Sequence, residues 1–158
     1  MTVETDAAAR HPRLGLIAAL ARLSRLPAVD RGPTCEAALL LLLVRLALAT
    51  LPLGAMLRLF RIHQGAAAAG RIDRHAADVI ARAIARTSRH VPFRAVCLQQ
   101  AFAALLMLRR RGLAATVHLG VLREGGELNA HAWSQCGDVP VTGVTAARGF
   151  TPVAVFAA

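Results

Sequence analysis

Two residues in the second half of the chain have the types and surroundings of a nucleophile and its base. Cys97 opens a stretch of helical periodicity, CLQQAFAALLMLRRR, shortly after Pro92. The unpaired amide N–H groups at a helix start stabilise a thiolate, which is the nucleophilic form of cysteine. His131 lies in an alternating stretch between Ala130 and Ala132, whose small side chains leave the imidazole room to accept a proton. The pair predicts nucleophilic catalysis by a cysteine with a histidine base.

Each residue taken alone also has a simpler structural explanation. A free cysteine at a helix start is commonly a small buried residue, and a strand histidine is commonly bonded to the backbone. His118, in the preceding alternating stretch, fits that second description equally well. Cys97, His118, His131 and Cys136 could form a zinc site by count, but the set contains no close ligand pair such as Cys-x-x-Cys. We therefore expect neither a metal nor a cofactor.

The residues up to about position 111 have the patterns of helices. Thr34 after Pro33 and Asp73 have the types of N-cap residues, and a run of arginines before Gly112 marks a helix end. The predicted helical segments are Leu14 to Leu26, a segment from Thr34 through the apolar stretch Ala37 to Phe60 with a break at Pro52 and Gly54, Asp73 to Arg89, and Cys97 to Arg111.

The remainder of the chain alternates as strands do. Gly125-Gly126 and Gly137-Asp138 have the composition of tight turns. The predicted strands are Ala115 to Leu122, Leu128 to Gln135, Val139 to Thr142, and Phe150 to Phe156. Helices followed by an antiparallel sheet predict an α+β fold.

The stretch from Ala37 to Phe60 is the most apolar part of the chain, and it is long enough to span a bilayer. Arg45 near its middle and the helix break at Pro52 argue against a membrane span. The pattern favours a helix that is buried or faces a partner, with membrane association as the alternative.

Composition excludes some classes of function. The net charge is +10, and all 19 basic residues are arginine, so a Schiff-base lysine is excluded. A basic surface attracts anionic partners, but the few aromatic residues are not interleaved with the arginines, which argues against nucleic acid. Three cysteines in separate contexts do not form a disulfide framework, and we expect a cytoplasmic protein.

The stretch CLQQAFAALLMLRRRGLAATVHLGV, followed by NAHAW, resembles the lasso peptide biosynthesis B2 proteins of the transglutaminase-like superfamily. The resemblance covers most of residues 13 to 156. It implies a papain/transglutaminase-like core, in which a helix bearing the cysteine packs against the sheet. It also implies a cysteine peptidase that removes the leader from a lasso precursor peptide, with Cys97 as nucleophile and His131 as general base and acid. We also expect Gln100 and Trp133, close to these residues in sequence, to bind the substrate.

The third catalytic residue is where the chain departs from this family. The family often has an acidic residue about twelve positions after the histidine, and that neighbourhood here is Val141-Thr142-Gly143. Asp138 is the acidic residue that follows His131, and it is a candidate, although it falls in a turn. A backbone carbonyl, Thr142, or no third residue are the alternatives.

The resemblance also implies a domain layout and partners. We expect a flexible N-terminus over residues 1–12, a helical region over 13–90 and the catalytic core over 91–158. Because residues 1–90 show no strand pattern, we expect a stand-alone peptidase. It would act with a separate leader-recognition protein and a lasso cyclase, and the stretch from Ala37 to Phe60 is one candidate docking face. A non-catalytic scaffold protein of the same fold is the alternative function.

Overall fold

The computed structural model describes residues 27–65 and 70–158. The predicted helix from Leu14 to Leu26 and the predicted flexible N-terminus lie outside the described residues. The helices are α1 (Ala28–Thr50), α2 (Leu53–Leu59), α3 (Arg74–Ser88) and α4 (Cys97–Arg109), with a 3₁₀ turn at Thr145–Ala147. The strands are β1 (His63–Gln64), β2 (Thr116–Glu124), β3 (Glu127–Cys136), β4 (Val139–Thr142) and β5 (Thr151–Ala157).

The strands form one antiparallel sheet in the order β1-β5-β2-β3-β4. The β2–β3 hairpin turns at Gly125 and Gly126, both with positive φ, as the sequence predicts. The α+β fold is therefore confirmed. The prediction of helices alone before residue 111 was wrong at β1, because two residues are too few to show alternation. His63 and Gln64 become a strand only through pairing with the distant β5.

Helix α1 begins earlier than predicted. Its N-cap is Pro27, so Pro33 lies inside the helix, and the assignment of Thr34 as the N-cap was wrong. The Thr34 hydroxyl instead donates to the Asp30 carbonyl at 2.7 Å, one turn back. The predicted break is confirmed, since α1 ends at Thr50 and Pro52 caps α2.

Helix α4 is the central element of the core. Every residue from Ala101 to Leu108 is buried, so its middle is covered on all sides. One side packs on the sheet, where the rings of Phe102 and Phe156 lie 6.0 Å apart. The other sides meet α1 and α3, which supply buried residues such as Leu41 and Ile80. This packing holds the first turn of α4, and with it Cys97, at a defined place.

Ion pairs connect α1 to the other helices. Glu36 of α1 accepts hydrogen bonds from Arg111, just beyond α4, with an N–O distance of 2.6 Å. Asp30 pairs with Arg86 of α3 at 3.3 Å. The predicted cap of α3 is confirmed, since the Asp73 carboxylate accepts from the Ala76 amide at 3.0 Å.

Helix α1 also has an apolar face that the core does not cover. Four leucines at the spacing of one helix face are exposed: Leu39, Leu42, Leu43 and Leu46, here called the leucine stripe. By length and composition α1 could cross a membrane, and 28% of its most apolar window is buried. With respect to the described residues, the stripe is therefore a surface on which a partner or a membrane could bind.

Candidate active site

Cys97 is the first residue of α4, as the sequence predicts, and it is half-buried against the core. Two glutamine side chains form hydrogen bonds with the backbone just before Cys97. The buried Gln99 accepts a hydrogen bond from the Val96 amide at 3.3 Å, and the Gln100 side chain donates to the Ala95 carbonyl at 2.7 Å. Gln100, expected to bind substrate, thus lies beside Cys97 and supports the approach to the helix. The amide N–H groups of this first turn are available to an anionic thiolate or oxyanion.

His131 lies on β3 opposite Gly120 of β2. Its Nε2 is 2.9 Å from the carbonyl oxygen of Gly143. A carbonyl only accepts hydrogen bonds, so Nε2 carries the proton and donates it, and the other ring nitrogen, Nδ1, keeps its lone pair in the neutral ring. Phe150 and Trp133 flank the imidazole, with ring centroids 5.4 Å and 6.2 Å away. In the neutral ring, Nδ1 is therefore the nitrogen that can accept a proton.

The structure shows no hydrogen bond between Cys97 and His131, both of which lie in its described part. Successive side chains of β3 point to opposite faces of the sheet. Ala132 and Cys136 belong to the core beneath the helices, whereas His131 and Trp133 occupy the alternate positions and stack with each other. Catalytic hydrogen bonds are often formed only with substrate in place. The Cys97–His131 pair stays a prediction.

The imidazole of His131 is hydrogen-bonded to a backbone group and to neither of the predicted side chains. Asp138 is exposed in the β3–β4 turn, beyond the end of β3. The strand continues for five residues after His131, which separates His131 from the strand end by about 17 Å. Thr142 uses its hydroxyl on Ser134, at 2.8 Å. The structure thus brings neither Asp138 nor Thr142 to the imidazole. It brings the carbonyl of Gly143, which is twelve positions after His131.

Trp133, expected to bind substrate, is 7% exposed and lies between two histidines. Its ring stacks on His118 with centroids 5.4 Å apart and planes 6° from parallel. Burial lowers the pKa of His118, and a hydrogen bond with Gln135 partly offsets this. At neutral pH His118 is therefore an uncharged stacking partner of Trp133.

Two residues of this layer were not found from the sequence. Gly120 leaves room for the indole, since a Cβ there would lie 2.7 Å from the Trp133 ring. Phe150 reaches His131 from the loop before β5. Gly120, the small residue opposite His131, could have indicated a bulky neighbour on this face, but only once the register of β2 and β3 was known.

No group of three or more His, Cys, Asp or Glu side chains in residues 27–65 and 70–158 is arranged to hold a metal ion. The members of the zinc alternative are separated in the fold. Cys136 is buried in the core, whereas His118 and His131 contact Trp133.

Comparison with known proteins identifies the family of the chain. Neither a curated protein nor a solved structure matches the chain significantly. The family model of the transglutaminase-like superfamily matches residues 38–155, from α1 to β5, and includes Cys97 and His131. Because this match covers most of the chain, the protein belongs to the transglutaminase-like superfamily.

Proposed function

We propose that this protein is a cysteine peptidase that removes the leader from a lasso precursor peptide. The observation that carries the proposal is a cysteine at the first position of a buried helix, together with a histidine whose Nε2 proton is held by a carbonyl. Both lie in a chain of a superfamily that includes cysteine peptidases. The choice of a lasso precursor as substrate is supported by the sequence resemblance around Cys97 and His131.

In the proposed reaction His131 Nδ1 accepts the proton of the Cys97 thiol. The thiolate attacks the carbonyl carbon of the bond between leader and core, and the amide N–H groups at the start of α4 stabilise the oxyanion. The core leaves as an amine after it takes the proton from His131. Water, deprotonated by the same imidazole, then hydrolyses the thioester, which releases the leader as a carboxylate and restores the thiol.

The proposed complex contains a separate leader-recognition protein and a lasso cyclase, and it works in the cytoplasm. The leucine stripe is the surface that we propose for the recognition protein. Between Ala37 and Gln64 the charged side chains are Arg45, Arg58 and Arg61, with no acidic residue. A partner with an apolar centre and an acidic rim would complement this surface.

The reaction class can be tested with isotopically labelled water. The superfamily is also known for acyl transfer to amines, in which no water oxygen enters the product. The full chain, the precursor and the recognition protein are incubated in oxygen-18 water, and the products are weighed by mass spectrometry. We expect the released leader to carry one oxygen-18 atom and the core to carry none. A leader joined to an added amine, without label, would contradict hydrolysis.

A non-catalytic scaffold of the same fold is the second candidate. It is favoured by the absence of a hydrogen bond between Cys97 and His131, and by the lack of an acidic side chain at position 143. Such a protein would bind the precursor complex and leave the peptide intact. Binding of the recognition protein, measured by calorimetry, without any release of leader would support this second candidate and contradict the first.

A further inference from the structure

We propose that the backbone carbonyl of Gly143 is the orienting group of His131, at the position where an acidic side chain would be expected. This inference rests on the proposed function, because it treats His131 as the base. The Gly143 oxygen lies 2.9 Å from Nε2, and Asp138 and Thr142 are engaged elsewhere or distant. Gly143 is therefore a positioning residue that acts through its main chain.

The carbonyl selects the useful tautomer of the ring. A neutral imidazole carries one proton, and a carbonyl acceptor at Nε2 keeps the proton on that nitrogen. Nδ1 is then the nitrogen that can accept the thiol proton. An acidic side chain would hold the ring in the same way, but it would also stabilise the imidazolium through its negative charge. The carbonyl supplies orientation without this charge.

The backbone at position 143 leaves no room for a side chain. Its φ is +70°, which L-residues with a Cβ rarely adopt. A Cβ there would lie 2.8 Å from the Ala132 carbonyl oxygen and 3.0 Å from His131 Nε2. The Ala132 oxygen is main chain in the middle of β3 and cannot move aside easily. Any side chain at this position would therefore disturb the hydrogen bond that the carbonyl makes.

Nuclear magnetic resonance of the uniformly nitrogen-15-labelled full chain tests the inference without a mutation. Long-range nitrogen–proton correlations distinguish the two tautomers of each histidine. His90 is an opposite reference in the same spectrum, because its Nδ1 lies 2.8 Å from the Arg86 carbonyl. We expect His131 to be protonated at Nε2 alone and His90 at Nδ1. Protonation of His131 at Nδ1, or averaging between the two tautomers, would overturn the inference.

Gly143→Ala tests the role in catalysis, and Gly125→Ala is its matched control. Gly125 has a similar φ of 59° in the β2–β3 turn, with nothing within 4 Å of an added Cβ. We expect Gly143→Ala to lower kcat about 10²-fold with KM unchanged, and to make His131 average between its two tautomers. Gly125→Ala should keep the kcat and the single His131 tautomer of the unchanged chain. Unchanged kcat and tautomer in a folded Gly143→Ala protein would overturn the inference.

The two proposals fail in different ways. A protein that cleaves no precursor but shows His131 protonated at Nε2 contradicts the proposed function and supports the hydrogen bond to Gly143. A protein that cleaves the precursor while His131 averages between tautomers supports the function and overturns the role of Gly143. If Gly143→Ala does not fold, the spectrum of the unchanged chain still decides.

Discussion

At the scale of single residues, two histidines on the same face of the sheet have different surroundings. His131 and His118 lie on either side of Trp133 but are held differently. His131 is half-exposed and donates a hydrogen bond from Nε2 to a backbone carbonyl, whereas burial lowers the pKa of His118. The His131 ring is oriented by a backbone carbonyl, and the His118 ring is a buried stacking partner of Trp133.

The lowered pKa of His118 predicts a loss of stability in acid. The unfolded imidazole, with an ordinary pKa near 6.5, binds a proton more readily than the folded one. The contribution of neutral His118 is therefore complete above the unfolded pKa and is lost as the pH falls towards the lower, folded pKa. Urea unfolding midpoints measured from about pH 7.5 to 5 are expected to fall, and His118→Gln is expected to flatten this dependence.

His75→Gln is the control for this titration, because His75 is exposed. It should retain the pH dependence of the unchanged chain. An equally steep dependence in His118→Gln would show that another group is responsible.

The residue scale also shows what local sequence can predict. The position of Cys97 as the first residue of a helix could be predicted, because the signals for it, Pro92 and the helical period that follows, lie close together in the sequence. The contact of His131 with Gly143 depends on how β4 pairs with β3, and so does the placement of Asp138 far from the imidazole. Register between strands is set by tertiary packing, which is why the third position stayed open in the sequence.

At the scale of elements, the sheet face that carries His131 depends on one small residue. Gly120 lies opposite His131, where the register of β2 with β5 shifts. The Trp133 ring lies against Gly120, and the Thr151 carbonyl is close on the other side. The glycine thus gives space to the indole that stacks on both histidines.

Gly120→Ala is expected to destabilise the protein by about 1–3 kcal/mol, because the added methyl would overlap the indole and meet the Thr151 carbonyl at 3.1 Å. Trp133 is the single tryptophan of the chain, so its fluorescence reports the displacement directly. We expect a changed emission maximum in the folded variant, with the free energy of unfolding measured by urea titration.

Gly54→Ala serves as the control for the added methyl. Gly54 lies in α2 with nothing within 4 Å of a Cβ, and alanine favours a helix. It should leave the fluorescence unchanged and cost no stability. A Gly120→Ala protein with the stability and emission of the unchanged chain would contradict the packing described for this face.

The elements that could be predicted are those with long, regular patterns. Helix α3, with its Asp73 cap, and the β2–β3 hairpin follow from local chemistry that tertiary packing does not oppose. The start of α1 was missed because Thr34 bonds back to Asp30 instead of capping, and Pro33 is tolerated near the exposed end of the helix. The two-residue β1 exists only through its pairing with β5.

At the scale of the whole molecule, residues 27–65 and 70–158 combine a closed core with an apolar surface on α1 that they leave exposed. Helix α4 is enclosed by α1, α3 and the sheet, and ion pairs from Glu36 and Asp30 fasten α1 in place. The leucine stripe lies on the opposite side of α1 from its buried residues. The sequence predicts an apolar helix here, but which of its leucines are exposed depends on the packing of α3 and α4.

Charges placed in the leucine stripe are expected to weaken binding of the leader-recognition protein and leave the fold intact. Leu42 is 42% exposed and Leu46 is 52% exposed, so Leu42→Glu/Leu46→Glu should lower the unfolding midpoint little. We expect the dissociation constant, measured by calorimetry, to rise at least about tenfold.

Leu128→Glu, which introduces the same charge at an exposed leucine of β3, should bind the recognition protein normally. Unchanged affinity in the double variant would contradict the assignment of the leucine stripe to this partner. If the double variant binds the recognition protein normally but no longer sediments with anionic lipid vesicles, as the unchanged chain would, the stripe would be assigned to a membrane instead.

The most direct test of the proposed peptidase is the replacement of its nucleophile. Cleavage of the precursor, followed by mass spectrometry with the recognition protein present, is compared for Cys97→Ala and Cys35→Ala. Cys35 is an exposed cysteine of α1 and controls for general loss of a thiol. The proposal predicts that Cys97→Ala lowers the rate at least about 10³-fold and that Cys35→Ala cleaves normally. A Cys97→Ala protein that releases the leader at the unchanged rate would contradict it.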